Sequence, residues 1–129
     1  MPVGGELILI VDDTEMNVRL ARDVLRFAGF RTLEARTAGE GVSLAGEHHP
    51  DLILMDIRLP DTDGTTALRH LKDDPRTAGI PVVAMTAFAM KGDRDRFIAE
   101  GFDGYLEKPI SVKDFPDQVR SHLASSGRG

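Results

Sequence analysis

Leu7-Ile8-Leu9-Ile10-Val11 is apolar at every position. A strand with one face in water alternates apolar and polar residues, so this continuous run predicts a strand covered on both faces. Leu52-Ile53-Leu54-Met55 and Val82-Val83-Ala84-Met85 have the same character. After the first run, Val18, Ala21, Val24, Leu25 and Ala28 recur at helical spacing from Thr14 to Ala28, and Gly29 supplies a stop. Doubly covered strands alternating with amphipathic helices require a sheet with helices on both faces.

The weaker segments fit the same alternation. Thr32 to Ala35 predicts a second strand, and Thr37-Ala38-Gly39-Glu40 is a capping box opening a helix that Gly39, Gly41 and Gly46 weaken. A loop with Pro60 and Gly64 leads to a helix carrying Ala67, Leu68 and Leu71, ended by Pro75 and Gly79. A fourth helix is expected from about Met90 to Glu100 with Phe97 and Ile98 inward, then a short strand at Gly104-Tyr105-Leu106-Glu107. The last helix carries Phe115, Val119 and Leu123 on one face. Pro116 would break a helix opened at Ser111, so the start is expected late, near Asp114, with Pro116 in the first turn. With right-handed crossovers, five such strands predict an α/β, flavodoxin-like parallel sheet of order 2-1-3-4-5 with helices on both faces. Residues 1–129 are expected to form one domain, with an ordered core of about 6–124 and flexible ends.

Composition narrows the class. No apolar run nears the ~20 residues of a membrane span, and Met1 to Glu6 lacks a secretory pattern. There is no cysteine, which excludes disulfides and thiolate metal sites. A net charge of −5 opposes non-specific binding to nucleic acid or anionic membrane. The expectation is a cytoplasmic protein without nucleic-acid or membrane partners.

In open parallel sheets the functional residues lie just beyond the carboxyl ends of the strands. Those positions hold Asp12 and Asp13, Asp56, Thr86 and Lys108. Crowded carboxylates repel one another unless cations compensate. Lys108 offers one positive charge, and a hard divalent ion that prefers carboxylates and water offers two more, which fits Mg²⁺. A metal and a lysine beside a carboxylate also suit phosphoryl transfer, where catalysis is mainly positioning and charge stabilisation. Asp56 would then be the nucleophile, with Lys108 and the Thr86 hydroxyl on other phosphoryl oxygens.

Val11-Asp12-Asp13, Asp56-Ile57-Arg58-Leu59-Pro60 with Gly64, Met85-Thr86-Ala87 and Tyr105-Leu106-Glu107-Lys108-Pro109 occur in order, each at a strand end. Together they resemble the response-regulator receiver domains of two-component signalling, and the Thr86 to Met90 run resembles receivers that stand alone or are attached to histidine kinases. The resemblance implies phosphorylation of Asp56 by a histidine kinase or phosphotransfer protein. It further implies Mg²⁺ (or Mn²⁺ in its place) on Asp12, Asp13, Asp56 and the Arg58 backbone carbonyl, Asp13 mattering more than Asp12. Thr86 and Tyr105 would form the conformational switch, and the Lys108-Pro109 bond is usually cis in this family.

Each residue also has a plainer reading. Asp12 and Asp13 could cap the first helix, Asp56 and Thr86 could be ordinary strand-end residues, and Tyr105 a static core aromatic. Lys108 elsewhere would be a solvated lysine. Asp61 and Asp63 read as loop solvation and turn formation, and His48, His49, His70 and His122 as solvated residues, the first two in a loop. An aspartate-nucleophile phosphatase of the haloacid-dehalogenase type would need Asp where Arg58 stands, so no turnover of outside substrates is expected. A constitutive receiver-like binding module is the alternative, marked by loss of the acceptor, a metal aspartate or the lysine, none of which is lost. Output would pass through the face of the fourth helix, fifth strand and last helix to a partner protein or a second copy. Phe88 and Met90 in the adjoining loop are expected outside the core as a contact patch.

Overall fold

The computed structural model describes residues 5–87 and 90–127, with side chains as far as 123. Strands and helices alternate: β1 (Leu7–Val11), α1 (Glu15–Phe27), β2 (Arg31–Ala35), α2 (Ala38–His48), β3 (Leu52–Asp56), α3 (Gly64–Asp73), β4 (Val82–Thr86), α4 (Asp93–Glu100), β5 (Gly104–Glu107) and α5 (Phe115–Gly127). The five strands form one parallel sheet in the order β2-β1-β3-β4-β5. Every residue of β3 and β4 is buried, which is why their sequences do not alternate.

Strand side chains still alternate in direction, and this divides the interior into two cores. Leu9, Val11, Ile53, Met55, Val82 and Ala84 pack beneath α2, α3 and α4. Ile8, Ile10, Leu52, Leu54, Val83 and Met85 pack beneath α1 and α5. The register pairs Val11 with Met55, Asp56 with Met85 and Thr86 with Glu107, so β1, β3, β4 and β5 end side by side. No helix among the described residues is long and apolar enough to cross a membrane.

Several local expectations hold. Gly29 takes a left-handed φ of 102° after α1, and Thr37 accepts the Glu40 N–H at the start of α2. Helix α5 begins at Phe115 with Pro116 in its first turn, and the Phe115 N–H reaches the Ser111 carbonyl.

Others need correction. Helix α4 begins at Asp93, three residues later than expected. Gly92 is left-handed at its N-cap and the Asp93 carboxylate turns back to the Met90 N–H at 2.8 Å, so helical geometry cannot reach Met90. Eight residues offer a narrow inward stripe, which Phe97 occupies, and Ile98 is 42% exposed rather than inward. His48 closes α2 and His49 is its left-handed C-cap, so only the loop assignment fails for them. His122 is half-buried, its ring where a Cβ on Gly104 would lie. Burial lowers its pKa below the usual imidazole value. Met90 is exposed as expected, whereas Phe88 lies outside the described residues.

Gly41 shows why α2 tolerates a poor helix former. A Cβ there would sit 2.8 Å from Val11 Cγ2, so glycine lets α2 lie directly on β1. Gly39 faces only an ordinary 3.5 Å contact with Asp61. Alanine gains about 1 kcal/mol of helix propensity, whereas overpacking a close core costs about 1–3 kcal/mol. Gly39→Ala is therefore expected to hold or raise the urea midpoint, and Gly41→Ala to lower it. Equal shifts in the two variants would refute this packing argument.

Candidate functional site

Asp12 directly follows β1 and is almost fully buried. Its Oδ1 accepts the Thr14 N–H at 2.9 Å and its Oδ2 accepts the Lys108 ammonium at 2.8 Å. Thr14, not either aspartate, is the N-cap of α1, so the capping role does not explain the Asp12-Asp13 pair. Asp13 is exposed, and carboxylate oxygens of Asp12, Asp13 and Asp56 all lie within 4.8 Å of one another.

Asp56 is the buried last residue of β3. Its Oδ1 accepts the Arg58 N–H at 3.2 Å and its Oδ2 accepts Lys108 Nζ at 3.1 Å. The following loop folds back tightly, because Gly64 donates its N–H to the Ile57 carbonyl at 2.7 Å. A Cβ on Gly64 would sit 2.7 Å from the Asp56 carbonyl, so only glycine permits this approach. Thr86 is the buried end of β4, and the Lys108 N–H bonds its carbonyl at 2.8 Å. The Lys108-Pro109 peptide is cis. The structure thus brings Asp12, Asp13, Asp56, Thr86 and Lys108 to one edge of the sheet.

Tyr105 lies further from this edge, on β5 opposite Ala84. Its ring stacks on Phe97 with centroids 5.8 Å apart, and Phe97 meets Phe102 edge-on at 5.9 Å. The Tyr105 hydroxyl is buried and has no hydrogen-bond partner among the described residues. Burial, followed by the negative charges of Glu107 and Asp93, raises its pKa.

Two exposed carboxylates do more than solvate the loop and form its turn. Asp61 accepts the Ala38 and Gly39 N–H groups at 2.9 Å each, closing the start of α2 from another loop. Asp63 is the N-cap of α3, accepting the Thr66 N–H at 2.9 Å. Asp63 was readable from its place before a helical stretch, but nothing local announces the partners of Asp61, 22 and 23 residues away.

Burial raises the pKa of Asp56, with the Asp12 charge adding to it, against the opposing pull of Lys108 and the Arg58 N–H. Burial disfavours the charged form of Lys108, but the Asp12 and Asp56 carboxylates outweigh it and its pKa rises. Three carboxylates against one ammonium leave two negative charges, the complement of one divalent cation. The donors are hard oxygens in a partly open cluster, a set that fits Mg²⁺.

The chain matches the family model described as response regulator receiver domain over residues 8–120. It is 46% identical over 119 residues to the polar-differentiation response regulator DivK of Brucella ovis, covering 92% of this chain and 97% of that protein. A CheY-like response regulator receiver domain protein from Methanospirillum hungatei is 30% identical at a TM-score of 0.83, covering 95% and 97% of the two chains. The receiver domain of the sensor histidine kinase PA1611 from Pseudomonas aeruginosa, solved with magnesium in its active-site cleft, is also 30% identical. Its TM-score is 0.85, with 94% and 99% coverage.

Removing one member of a buried ion cluster costs about 3 kcal/mol, because the remaining charges lose their compensation. Lys108→Met is expected to destabilise the metal-free protein by that order at about pH 7. Asp56 binds a proton more tightly folded than unfolded, so its ionised form opposes folding above its folded pKa and that cost fades as pH falls through it. The gap between variant and wild type should therefore narrow as pH falls through the raised folded pKa of Asp56 in denaturant titrations. A gap independent of pH would count against the charge-cluster account.

Proposed function

Because this chain belongs to the response regulator receiver domain family, we propose that Asp56 accepts a phosphoryl group from a phosphohistidine of a histidine kinase or phosphotransfer protein. An Asp56 carboxylate oxygen attacks phosphorus, an O–P bond forms, the P–N bond breaks, and the imidazole nitrogen keeps the electron pair. The observation that carries this reading is the Lys108 ammonium, buried between Asp12 and Asp56 and aimed at the acceptor carboxylate. Lys108 stands ready for the charge that arrives with the phosphoryl group. The Thr86 hydroxyl, at the end of the neighbouring strand, contacts a second phosphoryl oxygen.

Asp12, Asp13, Asp56 and the Arg58 backbone carbonyl would hold Mg²⁺, which when bound neutralises phosphoryl charge. Asp13 carries more of that affinity than Asp12, whose oxygens already serve Lys108 and the Thr14 N–H. After acetyl phosphate treatment, intact-mass spectrometry is expected to find one added phosphoryl group on wild type only when Mg²⁺ is present, and none on Asp56→Asn. Equal labelling of Asp56→Asn would place the acceptor elsewhere.

Output goes through Thr86 and Tyr105 to the face of α4, β5 and α5. Tyr105 supports this role: its buried hydroxyl has no partner among the described residues, a state that typically costs about 1–3 kcal/mol, so an alternative packing that satisfies it is within reach. The face holds a recess of about 560 Å³ lined by Met90, Tyr105, Leu106 and Gln118 among others. A partner protein or a second copy reads the switch only by preferring one packing over the other. Beryllofluoride, a phosphoryl mimic, is expected to shift amide resonances on this face in wild type and much less in Thr86→Ala or Tyr105→Ala. An unchanged wild-type face would reject this output route.

A further inference from the structure

The donors proposed for Mg²⁺ come from two separate parts of the chain. Asp12 and Asp13 follow β1, whereas Asp56 and the Arg58 carbonyl belong to the end of β3 and the loop after it. An ion held between two arms is bound well only if the arms keep a fixed spacing, because metal affinity depends on the groups that hold its ligands in place.

The loop after β3 closes on itself through the Gly64–Ile57 bond at 2.7 Å and the Arg58–Asp63 bridge. Those two bonds set its shape without tying it to the β1 side. Asp61, near the tip of the loop, reaches across. Its two carboxylate oxygens accept the N–H groups of Ala38 and Gly39, the first two residues of α2, each at 2.9 Å. The next N–H, of Glu40, goes to Thr37 Oγ1 at 3.1 Å. Helix α2 in turn lies on the end of β1, where Gly41 approaches Val11 and Ala38 and Ala45 are buried. The Asp12 N–H donates at 3.0 Å to the carbonyl of Ala35, which ends β2 just before α2. A continuous path of short contacts therefore joins the Arg58 arm, through Asp61 and the start of α2, to the Asp12 arm.

We propose, on the Mg²⁺ reading of the site, that Asp61 is a positioning residue: through the first two amides of α2 it fixes the spacing between the Arg58 carbonyl and the Asp12–Asp13 pair, and so raises affinity for the ion. Its bonding suits this role rather than direct ligation. Both oxygens are occupied by amides, and Asp61 lies outside the group of Asp12, Asp13 and Asp56 that converges within 4.8 Å. A single bond would let the loop swing about it, whereas two bonds to adjacent amides also fix its orientation. Both are charge-assisted and lie at the positive end of a helix dipole. The Gly39 and Ala38 N–H groups hold the Asp61 carboxyl below its ordinary pKa, so the tie is fully formed near neutral pH.

Mg²⁺ titration of the full chain, followed by amide NMR shifts, tests this on wild type, Asp61→Ala and Thr37→Ala, each first checked for folding by circular dichroism. Thr37→Ala removes a cap from the same helix end without touching the loop, so it separates loop placement from the stability of α2. Asp61→Ala is expected to raise the Mg²⁺ dissociation constant about tenfold, the usual loss when a group that orients metal ligands is removed, and Thr37→Ala to leave it within about twofold. The ratio of Asp61→Ala to wild type should persist at about 1 M KCl, where an exposed charge is screened within about 3 Å. Unchanged affinity in Asp61→Ala, an equal loss in Thr37→Ala, or a loss that vanishes at high salt overturns the positioning role and leaves the proposed function untouched. A wild type that binds no Mg²⁺ overturns both.

Discussion

The Lys108 ammonium joins parts of the chain that are 96 and 52 residues apart, holding Asp12 after β1 and Asp56 at the end of β3. Burying one ion is expensive, and burying two carboxylates is worse unless a cation lies between them. The rest of the sheet makes the arrangement possible. Its two apolar cores, one on each face, hold β1, β3 and β4 in a register that leaves only the strand ends free to carry charge. The cluster keeps an excess of negative charge, so the fold is stable despite its site rather than because of it.

Around this cluster the two flanking loops differ in kind. The β3–α3 loop is secured several times over: Gly64 lies against the Asp56 backbone, Asp63 caps α3, and Asp61 holds the first amides of α2. A loop so restrained keeps the Arg58 carbonyl and Asp56 in a constant relation. Toward β5, Tyr105 packs on Phe97 and the apolar core, and its buried hydroxyl has no hydrogen-bond partner among the described residues. Local free energy is thus deep on the side that positions Asp56 and shallower on the side of Tyr105. That asymmetry suits the proposed switch, because such a device exchanges packings that differ by a few kcal/mol.

Helix α5 is shared by two surfaces. One flank meets α1 beside the exposed Phe27, and the other borders β5 near Tyr105. The site reaches both flanks through the segment after Lys108, which runs from the cis Pro109 to the turn at Ser111 before the helix opens at Phe115. Pro116 sets that late start and thereby leaves Val112 and Lys113 outside the helix.

Much of this was determined by the sequence alone. Runs such as Leu52 to Met55 can be buried only on both faces, so the sheet, its helical layers and the line of strand ends followed from short-range pattern. Asp12, Asp13, Asp56 and Thr86 were legible for the same reason, because they stand where strong apolar runs stop, and Lys108 from its place between the short fifth strand and Pro109. The tertiary structure decided whatever depends on a distant partner or on which side of a short element faces inward. Asp61 reads as a solvated turn residue until α2 lies against it, and Gly41 as a poor helix former until Val11 is seen 2.8 Å from its missing Cβ. Ile98 and Phe97 are indistinguishable in a pattern of eight residues, and only packing against β5 selects Phe97. Periodicity reports how a residue relates to its own helix or strand; contacts across 20 or more residues are set by the closing of the sheet, and no local pattern encodes them.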